Sequence, residues 1–490
     1  MNEGLAYLLL ILTLGLFGWL GYRSGSERTI GDDEYLSARR SQSWLRIGLS
    51  LFASGMGIWI LFGPSEVAYY GGFWDVMGYA VAAATPFLLL AFIGPLIIEK
   101  LPDGVTLADY VRMRIGRPMQ IYVGIISVLY MFTFLFAEFT AIGKAMSILS
   151  GMNPLVPMFA VAVVTAAYTA YGGLPASLQT DRWQAWMIIV FATALLLLVF
   201  AADIGTLIAE AKAVNPDDEW SIGSMTHMGT FTSGLALVVA ITSAEMFSQG
   251  NWQRAYASEN EGALKRGSFL AAGLVFPLVL VMGILGTVVA GRGNPMFGDV
   301  YDPSAAFFIL ISEAGVIIIA AFIVLVVALV CSSADTLQNA IVASVSRDLA
   351  DGRMNLQHAR FATIALIPIA IWLATGPSIG RFSVNATSVF AIFLFADLLA
   401  TATVAPILLT LWDRVSSQGA LIGAVAGLLS VVFYGAVTAD FASGISYLFS
   451  PTTEGGLANL SVFLSALIGS IVVTIGASYI LTDTSTPEEE

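Results

Sequence analysis
Six polar side chains, Ser332, Ser333, Asp335, Thr336, Gln338 and Asn339, sit in a run that is otherwise apolar enough for a bilayer: VALVCSSADTLQNAIVASVSRDL, Val327 to Leu349. Oxygens at the middle of a hydrophobic helix are costly unless they face a cavity, an ion or another helix. They are either ligands for a cation or a small-residue packing surface between helices. A second stretch, SLFASGMGIWILFGPSEVAYYGG (Ser50 to Gly72), is a good membrane segment interrupted by Gly55, Gly57 and the Gly63–Pro64 pair. An interrupted helix at membrane depth frees carbonyls that secondary transporters use to hold Na+; glycines also serve plain close packing. A third, YTAYGGLPASLQTDRWQ (Tyr168 to Gln184), ends one helix at Gly172–Gly173 and starts another near Thr180–Asp181. Asp181 then lies at or just inside the water interface, as a functional acid or as a helix cap beside a snorkelling Arg182.

Four acids fall inside expected spans: Glu138, Glu245, Asp335 and Asp397. An ionised acid at the bilayer centre costs on the order of 3 kcal/mol or more, so such residues face a bundle interior or a pathway. Several acids with few intramembrane bases suit a cation site; protonated acids hydrogen-bonded in the core are the alternative. Other chemistry finds no residues. There is no phosphate-cradling GxxxxGK[ST] loop. The two histidines, His227 and His358, provide no ligand set for a metal hydrolase or a haem. Cys331, the single cysteine, suits packing better than nucleophilic attack. An enzyme is not expected.

The elements that carry these residues follow from composition. Of 490 residues, 57% are hydrophobic and 11% charged, where a soluble chain carries about 25% charged. This is the make-up of a polytopic membrane protein. The formal net charge of −13 disfavours nucleic acid as a partner. Leu5 to Leu20 lacks a basic lead and a small-residue cleavage site, so it is expected to stay as a helix. Spanning segments are expected at 4–22, 45–70, 76–98, 119–150, 154–171, 183–205, 234–250, 267–292, 315–345, 360–380, 384–412, 418–438 and 459–482, about thirteen in all. Numbering loops alternately puts 17 of the 21 basic residues on one side, Arg254 among them, which makes that side cytoplasmic. The N-terminus is then outside and the C-terminus inside a cell membrane. Asp302 to Glu313 reads as a short external helix capped by Asp302 with Pro303 in its first turn, and the tail after Leu481 as disordered.

Together these stretches resemble the sodium:solute symporter family, which includes sodium/proline and sodium/sugar symporters. EYLSARRSQSW is similar to the family's tyrosine-led loop, ASGMGIW to its first core helix, YGGLPASLQTDRWQ to its Gly-Gly, Thr-Asp and Gln pattern, and CSSADTLQNAIVASVSRDL to its STADS…SRDL helix. The resemblance implies a LeuT-type fold: an extra N-terminal helix with a cytoplasmic loop (1–44), two inverted five-helix repeats (45–205 and 206–412), two additional helices (413–482) and a tail (483–490). It implies a sodium site at the carbonyls of Ala53, Met56 and Leu329 and the hydroxyls of Ser332 and Ser333. A second ion site, for Na+ or H+, maps to Asp181, Asp335 and Thr336. Gly55 stands where proline-transporting members carry an aspartate, which argues against proline specificity; Gly57 replaces a nearby serine, and Leu329 stands where an alanine is usual, harmless if only its carbonyl serves.

By fold, solute contacts are expected at Met56, Trp59, Glu138, Glu245, Gln249 and Asp397. The expected activity is Na+-coupled uptake of a small polar organic solute, an amino acid or similar, by alternating access. Na+ is the coupling ion, no organic cofactor is expected, and the partners are the solute and membrane lipid, with no obligatory protein partner. Rival readings are an H+-coupled transporter of the same fold and a membrane sensor or channel-like protein.

Overall fold
The computed structural model describes residues 1–26, 32–201, 209, 228–291, 296–297, 300–301, 303–312, 314–376, 378–379, 382–383, 389–453 and 456–481. The chain forms α1 (Glu3–Ser26), α2 (Asp32–Ser37), α3 (Trp44–Gly55), α4 (Trp59–Lys100), α5 (Leu107–Ile115), α6 (Arg117–Ser150), α7 (Leu155–Ala201), α8 (Met228–Glu245) and α9 (Gln249–Ala257). It continues with α10 (Glu261–Gly291), α11 (Ala306–Ser312), α12 (Val316–Ser344), α13 (Leu356–Ala374), α14 (Val389–Leu409), α15 (Ser417–Thr438), α16 (Phe441–Phe449) and α17 (Leu460–Ile480). Two short antiparallel pairs, Met296–Phe297 with Val300–Tyr301 and Ser378–Ile379 with Phe382–Ser383, are the described strands.

Length alone shows that two helices are folded back. At 1.5 Å per residue, α4 and α7 would run about 60–70 Å, twice a bilayer core. Gly72 (φ 66°, ψ −142°) breaks α4 and Gly173 (φ 58°, ψ −149°) breaks α7; this backbone region is open essentially to glycine. Ten described helices are long and apolar enough to cross a membrane, and the bent pair Trp44–Gly55 and Trp59–Tyr69, at 58°, makes eleven. Counting both arms of α7 and the shorter apolar helix Phe393–Leu409 reaches the thirteen expected. α12 packs between α6 and α7 and also meets α1, α3 and α9. That central position explains why it is buried from Phe322 onward with few exceptions.

Several expectations are corrected. The Gly63–Pro64 pair does not interrupt its helix; Pro64 lies inside α4, and the break is Met56–Ile58. Residues 174–182, read as an interface loop, are helical, so Asp181 is a mid-helix residue and not a cap. The span read as 234–250 stops at Glu245 and restarts at Gln249, a second broken helix. A short helix, α16, occupies the loop between α15 and α17. Pro303–Ala305 and α11 form the helix expected there, while Asp302, Glu313 and the tail lie outside the described residues. In the turn that follows α12, Arg112 bonds Asp351 and holds its carboxyl below the usual carboxylate range.

Candidate ion and solute site
Two carboxylates from different helices tie α3 and the α3–α4 break to α12. Asp181 on α7 accepts from Ser50 Oγ of α3 at 2.6 Å and from Ser332 Oγ of α12 at 2.8 Å. Glu138 on α6 accepts, at one oxygen Oε2, from the Ile58 N–H in the break at 3.0 Å and from Ser333 Oγ of α12 at 2.7 Å. Ser332 and Ser333 thus each have a carboxylate to receive their single hydrogen, which leaves hydroxyl lone pairs for a cation. Ala53 and Met56 are buried at the break, and Leu329 lies one turn before Ser333, whose Oγ is 3.2 Å from its carbonyl. The residues expected to hold sodium are therefore on elements brought together by Asp181 and Glu138.

Beside them lies a residue that sequence reasoning placed with the cytoplasmic loop bases. Arg254 is fully buried on α9. Its Nη2 donates to Asp181 Oδ2 at 2.6 Å and to Thr336 Oγ1 at 2.8 Å, its Nε to Ser50 Oγ at 2.7 Å and its Nη1 to Gly250 O at 3.0 Å. Asp335, the neighbouring acid, accepts from Tyr168 at 2.5 Å, Ser177 at 2.7 Å and Thr180 at 3.1 Å. So Asp181, Asp335 and Thr336 do meet, but with a guanidinium between Asp181 and Thr336. Its only local sign was an arginine one turn after Gly250; its acid is 73 residues away in sequence.

Two small adjoining cavities, of about 20 and 30 Å³, open at the breaks, each with room for a water-sized group. Both are lined by Trp59, Tyr130, Phe134 and Glu245. One adds Glu138, Ser333 and Thr336; the other adds Asp397, Tyr79 and Phe393. Trp59 donates from its indole nitrogen to Gly55 O at 3.1 Å and packs on Tyr79 and Phe393. Glu245, at the α8 terminus, accepts from Asn251 Nδ2 at 2.9 Å. Gln249 does not join them. Its amide bonds Val105 O and the Leu107 N–H, fastening α9 to the start of α5. The tyrosines and phenylalanines of the wall carried no signal in a chain this rich in aromatics.

The sodium:solute symporter family model matches residues 35–427, most of the chain. The chain belongs to the sodium:solute symporter family. This family member is 27% identical to the spermidine transporter DUR31 of Candida albicans, over 97% of this chain and 89% of that one. It is 32% identical to sodium/glucose cotransporter 4 of Mus musculus, but over 40% of this chain and 28% of that relative. Among solved structures it is similar to a Na+-coupled sialic acid symporter in a substrate-bound outward-open state, with TM-score 0.78, 15% identity and 98% of each chain covered. It is also similar to a nucleobase–cation symporter in a closed conformation, with TM-score 0.57, 13% identity and 94% and 97% coverage. The symporter-family chain has the LeuT-type fold and is a multi-pass membrane transporter, not an enzyme.

Proposed function
We propose that this chain couples Na+ entry to uptake of a small organic cation with two or more amino groups. The observation that carries this reading is the lining of the two adjoining cavities: Glu138 and Glu245 in one, Glu245 and Asp397 in the other, with the rings of Trp59, Tyr130 and Phe134 in both and of Tyr79 and Phe393 in the second. Ammonium groups pair with carboxylates through charge-assisted hydrogen bonds, and aromatic faces attract them further. Among the described residues, none lining the two cavities is basic. The acids of the walls favour a cationic solute. The name of the DUR31 relative supports the same class.

Sodium binds between the α3–α4 break and α12, at the carbonyls of Ala53, Met56 and Leu329 and the hydroxyls of Ser332 and Ser333. With the N-terminus outside the cell membrane and the interior negative, each inward charge is worth about 2.3 kcal/mol per 100 mV. A divalent amine with one Na+ moves about three charges, or roughly 7 kcal/mol per 100 mV. Proteoliposomes with an inward Na+ gradient should accumulate labelled putrescine or spermidine, competed by each other and not by proline or glucose. Ser332→Ala with Ser333→Ala should raise the sodium needed for half-maximal uptake by tenfold or more. Uptake that follows a pH gradient in sodium-free buffer would replace Na+ with H+ as the coupling ion.

A further inference from the structure
Glu138 stands at the sodium-site hydroxyl and in the solute cavity at once. Its Oε2 accepts from Ser333 Oγ and from the Ile58 N–H. Its Oε1 lies against Gly57, so closely that a Cβ built there would be 2.0 Å from it. Gly57 is thus the residue that lets the carboxylate reach the break. Glu138, Gly57 and Ser333 all line the cavity that Glu245 and Trp59 share.

We infer that Glu138 is the residue through which ion and solute sense each other, its Oε2 orienting the Ser333 hydroxyl toward sodium and its Oε1 receiving an amino group of the solute. This rests on the Na+-coupled reading above and adds to it a route for coupling. A hydroxyl that donates to Glu138 keeps its lone pairs for the ion. Sodium held there fixes Ser333, and Ser333 fixes the carboxylate that the solute meets. Less ordering is then left for the solute to bring about, so its affinity rises with sodium. The carboxylate lying between them offsets the repulsion of two cations. Linkage requires that the solute raise sodium affinity by the same factor.

The test measures sodium binding directly, as sodium-dependent thermal stabilisation of the purified full chain with potassium as the balancing ion, with and without spermidine. Glu138→Gln should raise the half-saturating sodium concentration by tenfold or more and reduce the sodium dependence of spermidine affinity to near one. Gly57→Ala keeps every charge and displaces the carboxylate, so it should shift the sodium constant in the same direction; this separates the effect from a folding defect of the glutamine variant. Glu245→Gln, on the same cavity but bonded to Asn251 rather than to Ser333, should move the spermidine constant and not the sodium constant. A wild type that responds to sodium while Glu138→Gln and Gly57→Ala match it overturns this inference alone. A wild type that ignores sodium overturns the sodium reading and this inference with it.

Discussion
Replacing Arg254 by methionine leaves the Asp181 carboxylate buried with hydroxyl donors but no countercharge. Removing one partner of a buried pair is strongly destabilising, about 3–5 kcal/mol, because the remaining charge is uncompensated. Arg254→Met should therefore lower unfolding stability in detergent by about that amount. Adding Asp181→Leu should recover much of the loss, since a pair replaced by apolar groups costs far less than a broken one. A loss in the double variant equal to the sum of the two single losses would show that the pair is not coupled. At this scale the sequence marked Ser332, Ser333 and Asp181 by the expense of polar groups in an apolar run. It gave Arg254 no such mark, because an arginine near a helix end is ordinary until its partner is known.

Gly173 shows what an element needs from a single residue. Its φ of 58° with ψ of −149° lets α7 fold back between its two arms. A Cβ there would also lie 2.5 Å from Tyr35 O. Tyr35 itself donates to Thr169 O at 3.1 Å, and burial pushes its phenol up to about 12, so it remains a donor. Gly173→Ala should cost about 2 kcal/mol from backbone strain, with the Tyr35 clash added, read as a lowered thermal midpoint in detergent. An unchanged midpoint would mean that α7 does not depend on this turn. The Gly-Gly pair was legible as a helix boundary. The helical state of the residues after it was not, because LPASLQTDRWQ has the polarity of a loop; Ser177, Thr180 and Asp181 find their partners on α12 and α9.

For the molecule as a whole, the charge asymmetry predicts sidedness. Cys331 is the single cysteine and is buried, so single-cysteine variants can be labelled against a quiet background. Cysteine at Arg353 or Arg414 should react with an impermeant thiol reagent only in inside-out vesicles, and cysteine at Asp440 only in right-side-out cells. The reverse pattern at all three sites would invert the topology.

The membrane-spanning make-up, the break near Gly55–Gly57 and the polar run that holds Ser332 and Ser333 were legible in the sequence itself. Bilayer thickness and the cost of unpaired polar groups act locally along a chain, so they leave local marks. Which carboxylate meets which hydroxyl was decided only by tertiary structure. Asp181 joins Ser50 to Ser332, Glu138 joins Ile58 to Ser333, and Arg254 enters between Asp181 and Thr336, each across tens to hundreds of residues. Such pairings depend on how the helices pack, and a buried polar group records in sequence only that it needs a partner.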